Sequence, residues 1–534
     1  MLLARRGGVP WAYALICVAA WLLSPGPPAQ AATRAGETLA SEAAQHDTEL
    51  LVLFKDGLLD ANCQDRKVIM TEVTKPPAEA PAPGAVPAGP WGERWYIARC
   101  DKLVAWDVSY TPTGQGSVEI GFRFADEFRD SSIPDQKKDH YQDGIVIWRN
   151  PDDATVPFLL KFNVNTQIRY LNTTSSDDTF TDHLGVVRDV NQRNDITVNR
   201  TMFILGGYIF DKRLRYSSTV WTSAGAASIV VAGTIGWQFN QGLTLTGGYT
   251  GVPGSRSLVN TFPFFTGTDR SMADNFFRPG FTQGLWANGE PVKGLNYLMF
   301  VGNGLNTLNI SASKIDTNLM YSGSVWWEPL GDYGPPGKSR NMYDDYFASR
   351  KTRIRLGAAH TRSREDRFSN LDQSSPENTS LYNSDGVLTF STGAFAPGVT
   401  VDKATYEMTA IDWGVKWNGF AFNGQYYFRG INDFEADGPL PLSSTSDHGF
   451  EVSASYFVIP KKLMVYGRGS RVYGEFGDSW EYAAGTKLHF VPTERMWLSA
   501  ELMRVEKAPY TGTFTPYVSG LTGWVPMIQA VIAF

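Results

Sequence analysis

The chain has 534 residues, with 48 Lys and Arg against 54 Asp and Glu, for a formal net charge of −6. That balance leaves no basic footprint for nucleic acid. Beyond the N-terminus no segment is apolar enough over ~20 residues to be a membrane-spanning helix, although 13% of the residues are aromatic.

The first residues read as a signal peptide, 1–31. Arg5 and Arg6 open it, Trp11 to Leu23 form the apolar core, and Ala29-Gln30-Ala31 supply a small-residue cleavage site. The mature chain is expected to start near Ala32. Residues 32–74 read as a helical periplasmic segment, with Leu39, Ala43, Leu50, Leu51 and Leu53 at three- and four-residue spacings. Self-association of 37–59 would help hold a trimer together. Residues 75–90 form a Pro/Ala-rich linker, too dense in proline to build a core and expected to be an extended spacer. Residues 91–156 are a periplasmic extension of mixed structure, with strand-like pieces such as Val118 to Phe124. Cys17 falls in the signal, which leaves Cys63 and Cys100. An even pair in an exported chain points to one disulfide; two free buried thiols are the alternative.

From 157 to 534 apolar and polar residues alternate persistently. Phe158, Leu160, Phe162, Val164, Ile168 and Tyr170 share one face of a strand, with Lys161, Asn163, Asn165, Gln167 and Arg169 on the other. The pattern recurs in about sixteen segments, the last being 523–534. A greasy face opposed by amides and cations suits a wall between lipid and water. The expected fold is all-β, a transmembrane antiparallel β-barrel of about 16 strands. The links alternate tight and long, as external loops and periplasmic turns do. Asn418-Gly419 is a hairpin signal. One link, 329–351, should be a periplasmic turn and is too long: either an extra hairpin hides there or the count is off by about two strands. A soluble β-sandwich or propeller is the alternative, and the lack of a fixed-period repeat argues against it.

Enzyme motifs are missing. The six histidines show no metal-ligand spacing, no nucleophile elbow occurs, and no cofactor or metal is expected. By strand phase, Lys161, Arg169, Arg353, Arg355, Lys416, Arg429, Arg468 and Lys487 face the lumen. Fixed cations in a low-dielectric passage attract anions. The alternative is that they pair with Asp412, Glu451, Glu481 and Glu501, leaving a merely polar pore.

Four stretches resemble the phosphate-selective porin O and P family: Phe162 to Tyr170, Arg270 to Gly280 with Gly302-Asn-Gly304, Gly449 to Leu463, and the closing strand. The resemblance covers 157–534. It implies a sixteen-stranded, trimeric outer-membrane channel for small anions such as phosphate, with the third external loop, 252–280, folded inward. Arg256, Arg270 and Arg278 are then the constriction-loop candidates. It also implies outer-membrane lipids as surroundings and Phe534 as the signal read by the barrel-assembly machinery. A nonspecific porin and an exported β-rich binding protein without a pore are the competing readings.

Overall fold

The computed structural model describes residues 35–59, 63, 65–79, 87–100, 102–113, 117–129, 141–151, 154–223, 228–259, 261–306, 317–335, 340–371, 380–512 and 514–534. The signal-peptide reading therefore lies outside the described residues. The chain divides into two compact units, Met1–Lys138 and Asp139–Phe534.

Among its described residues the first unit is one helix and one sheet. Strands β1 (Ala35–Gly36), β2 (Arg66–Lys75), β3 (Trp91–Arg99), β4 (Lys102–Pro112) and β5 (Val118–Arg129) lie side by side in that order. All neighbours are antiparallel except β1 with β2. Helix α1 (Glu42–Leu59) buries Ala44, Thr48, Val52 and Asp56, a stripe at four-residue spacing. The core it joins includes Trp91, Trp95, Val104, Trp106 and Tyr110.

Polar groups in this core are all matched to donors, as burial requires. Thr48 bonds the Tyr110 hydroxyl at 3.0 Å. Asp56 accepts from Arg99 Nε at 2.9 Å, Trp106 Nε1 at 3.1 Å and Arg66 Nε at 3.2 Å. Burial alone would raise the Asp56 pKa, but the bonds from Arg99 and Trp106 and the Arg99 charge outweigh it and hold the carboxyl below its usual value. Glu93 accepts from both the Trp91 and Trp95 indoles, at 3.0 and 3.1 Å, and from the Leu39 N–H at 2.8 Å. Cys63 and Cys100 form a disulfide with Cα atoms 6.0 Å apart.

Two boundaries differ from the sequence reading, and the linker between them joins neighbouring strands. The helical segment 32–74 narrows to α1, because Val68, Ile69, Thr71, Val73 and Thr74 favour an extended backbone and form β2. The Pro/Ala tract joins β2 to its antiparallel partner β3, so it closes a hairpin within one sheet; its residues 80–86 lie outside those described. The extension does not run to 156, since β6 (Ile145–Arg149) already pairs with the first long barrel strand.

That strand is β7 (Phe158–Asn172). A small hairpin, β8 (Thr179–Thr181) and β9 (Val187–Asp189), follows outside the wall. The wall continues with β10 (Asn194–Ile209), β11 (Asp211–Ser223), β12 (Ser228–Asn240), β13 (Leu243–Gly251) and β14 (Phe281–Val292). Next come β15 (Leu295–Gly302), β16 (Met320–Trp327), β17 (Arg353–Asp366), β18 (Val401–Trp417) and β19 (Phe420–Ala436). It ends with β20 (Ser444–Ile459), β21 (Leu463–Gly474), β22 (Gly477–Leu488), β23 (Met496–Glu506) and β24 (Gly523–Ala533). These sixteen long strands close on themselves, β24 pairing with β7. Phe534 completes the seam by exchanging two backbone hydrogen bonds with Val164, each 2.9 Å. Below that point β6 takes over the edge of β7, with Ile145 opposite Phe162 and Arg149 opposite Leu159.

The tight links are what hairpin geometry asks for. Asn418 and Gly419 both have positive φ, 48° and 82°, as a type I′ turn requires. The long link 329–351 holds no further strand among the described residues. Residues 340–346 are instead mostly buried, bonded to the connection between β13 and β14. The length that disturbed the strand rhythm belongs to a segment lying inside the barrel.

Candidate functional site

Strand alternation gives the barrel two faces. Outward residues such as Ile196, Val231, Ile235, Leu285, Leu356 and Ile411 are exposed, from 47% to 75% of their surface. Soluble proteins rarely leave so continuous an apolar surface to water. Exposed aromatics border it at the periplasmic strand ends (Trp327, Trp417, Phe420, Tyr456) and at the external ends (Tyr321, Tyr482, Trp524). Apolar band, aromatic borders, closed wall and even strand number go together. This is an outer-membrane β-barrel.

The inner surface of that barrel has a wet arc and a dry one. Along β11 to β14 the inward residues Ser217, Thr219, Thr234, Thr246 and Trp286 are partly exposed, and Arg215 is exposed. Around β17 to β24 and β7 the inward residues are mostly buried, because loops fold in over them. The chief cover is the connection 252–280: apart from Phe262, every described residue in it is buried.

Its seat is built from charge and helix capping. Asp269 pairs with Arg169 at 2.7 Å and with Arg200 at 3.4 Å. The short helix α2 (Met272–Phe277) is capped by Ser271, whose Oγ accepts the Asp274 N–H at 3.1 Å. Its next free amides reach the wall: Met272 N–H donates to Glu481 at 2.9 Å and Ala273 N–H to Ser470 at 3.1 Å. Tyr427 donates to Asp274 at 3.0 Å. The Arg429 guanidinium lies 3.9 Å from the Phe276 ring centre.

Six of the eight lumen cations read from the sequence lie under such cover rather than on open water. Arg169 meets Asp269; Arg355 meets Asp412 at 2.7 Å and Glu328 at 3.9 Å. Arg429 meets Asp447 at 2.5 Å, and Arg468 bridges Glu481 and Glu501 at 2.8 and 2.7 Å. Lys487 lies 3.7 Å from Asp344 and donates to the Phe265 carbonyl. Lys416 donates to the Met342 carbonyl at 2.9 Å and sits 4.2 Å from the Tyr333 ring centre. Charges taken from water must be paired: neighbouring strands supply Asp412, Asp447, Glu481 and Glu501, and the inserted segments supply Asp269 and Asp344. Lys161 and Arg353 are half-buried, bonded to the carbonyls of Gln142 (3.2 Å) and Leu330 (2.6 Å).

Arg256, Arg270 and Arg278 are buried within the inserted connection. Arg256 donates to Asn423 at 2.9 Å; Arg270 to Ser257 at 3.2 Å; Arg278 to Asn275 at 3.3 Å. Beside them is a cavity of about 30 Å³, lined by Arg256, Arg270, Tyr343, Asn423, Glu451 and Arg468 among others. It has room for one or two waters. Arg200, Arg215, Tyr333, Tyr343 and Asp344 were missed from the sequence; only Arg215 had a signal, its alternation with outward Leu214 and Tyr216.

No protein-family model matches the chain, and no curated protein matches it in sequence. Among solved structures it is similar to OmpT of Vibrio cholerae, at 12% identity over 72% of this chain and 99% of that one, TM-score 0.42. An anion-selective porin from Comamonas acidovorans gives 11% over 70% and 99%, TM-score 0.43. The outer membrane channel DcaP of Acinetobacter baumannii gives 10% over 72% and 99%, TM-score 0.39. Likeness this distant assigns nothing beyond what the strand pairing already shows.

Proposed function

We propose that the barrel is a porin, a passive diffusion path for small solutes along its wet arc. The observation that carries this is the contrast within one lumen: buried and ion-paired under inserted loops on one side, water-accessible and hydroxyl-lined along β11 to β14 on the other. Hydroxyls and small residues replace part of a solute's hydration without binding it, which suits fast passage.

A preference for anions is the finer part of the proposal. Its support is Arg215 on the wet side and the half-buried Lys161 on β7. A phosphate-specific site needs convergent donors, and Arg256, Arg270 and Arg278 are buried and bonded apart, to Asn423, Ser257 and Asn275, so general anion preference is the better-supported form. A homotrimer, and recognition of Phe534 by the barrel-assembly machinery, belong to the same reading; exposed Leu50, Phe54 and Leu58 on α1 are the surface that would join copies.

Planar-bilayer recording on folded protein tests the proposal. Stepwise conductance, with a reversal potential favouring chloride in a potassium chloride gradient, is expected. Folded barrels that pass no current would favour the non-porous binding protein.

A further inference from the structure

We propose that the periplasmic connection between β16 and β17 is a strap that fixes the third external connection in place and so sets the width of the passage. The functional half of this rests on the porin reading; the structural half does not.

The other described periplasmic turns are short, as at Phe210 between β10 and β11 and Asn418-Gly419 between β18 and β19. This one starts at Glu328 and rises into the lumen. Its foot is fastened twice: the Tyr333 N–H donates to Glu328 at 2.9 Å, and Asp345 accepts from the Gly419 N–H of the next turn at 2.8 Å. Its tip meets the third connection, which comes from the opposite mouth. Tyr343 N–H donates to the Phe264 carbonyl at 3.1 Å, and Asn341 Nδ2 to the Val259 carbonyl at 2.7 Å. Between them lies Arg256, its guanidinium 4.1 Å from the Tyr343 ring centre and 5.0 Å from that of Tyr333.

Arg256 makes the strap matter. Asn423 holds its Nη1, and among the described residues its Nε and Nη2 have no hydrogen-bond partner, so the two strap rings supply favourable electrostatic contact at the part of this buried charge that Asn423 leaves unmet. Without the rings, Arg256 must turn toward water, and the connection carrying it moves with it. Movement of a segment between two seats changes an opening far more than a side-chain change at its rim.

The test uses full-length protein with Tyr343→Ala, and separately Asn341→Ala, which removes one side-chain bond and keeps the rings. Folding is confirmed by heat-modifiable migration. Hydrogen exchange of 261–280 should quicken roughly tenfold or more in Tyr343→Ala and less in Asn341→Ala. Single-channel conductance should rise by roughly two-fold or more in the first variant. Folded variants with unchanged exchange overturn the strap; quickened exchange with unchanged conductance overturns its control of width. A wild-type barrel that conducts nothing sinks the porin reading and the width claim together, while exchange still decides the strap itself.

Discussion

Asp269 lies 2.7 Å from Arg169, a residue of the inserted connection against a residue of the first long strand. Arg200 approaches the same carboxylate at 3.4 Å. One acid thus stands between two buried guanidinium groups that would otherwise repel each other. Replacing it by Asn leaves both without their shared counter-charge, at a cost of about 3–5 kcal/mol. Asp269→Asn should lower the temperature at which the barrel loses its folded gel mobility, and proteolysis should begin within 252–280. An unchanged midpoint would contradict this account of the pair.

The wet arc predicts where selectivity is tuned. Arg215→Gln should move the reversal potential toward cations, because its charge reaches the passage. The effect should fade at 1 M salt, where the Debye length is about 3 Å. Arg355→Gln should do little to the potential and more to stability, since it removes the close counter-charge of Asp412 and the nearby one of Glu328. Equal shifts in the two variants would show that the current does not follow the arc.

Acid should weaken the first unit through Asp56. Its pKa is held down in the folded state, so its contribution is present above the unfolded value of about 4 and is lost as pH falls through the lower folded value. Fluorescence of Trp91, Trp95 and Trp106 in the whole protein should report unfolding that begins at higher pH in Asp56→Asn than in the wild type. The same acid midpoint in both would remove Asp56 from the explanation.

The disulfide between Cys63 and Cys100 spans a sequence separation of 37. Closing a loop of that size removes unfolded-state freedom amounting to about 4 kcal/mol in the chain-entropy account. Cys63→Ser with Cys100→Ser should lower the denaturant midpoint of the first unit by a matching amount while barrel gel mobility stays the same. Reducing agent should reproduce the effect in the wild type and leave the double variant unaffected.

The wall was legible in the sequence because a strand's two faces see different solvents, and alternation such as Phe158 to Tyr170 records that directly. The fate of the lumen charges was not. Phase places Arg169 and Arg468 on the inner face, but Arg169 meets Asp269 on a connection that returns from a hundred residues away, and Arg468 meets Glu501 on β23, two strands along the wall; alternation within one strand shows neither partner. The link 329–351 announced itself by its length, yet nothing in Tyr333 or Tyr343 taken locally points to a ring pair around Arg256. In the first unit Val68 to Thr74 carried a strand signal that the preceding helix obscured. The Pro/Ala tract had the composition of a spacer, and only the pairing of β2 with β3 shows that it bridges two neighbours.

The short strand β6 gives barrel closure an end-stop. It occupies the edge of β7 opposite Leu159 to Phe162, directly below Val164, where Phe534 finishes. A last strand slipped two residues toward the periplasm would run into it, and a slip of one would turn Ile528 and Ile532 from lipid to lumen. The hairpin that begins the barrel therefore measures off the strand that completes it, and the ruler is in place before the last strand is made.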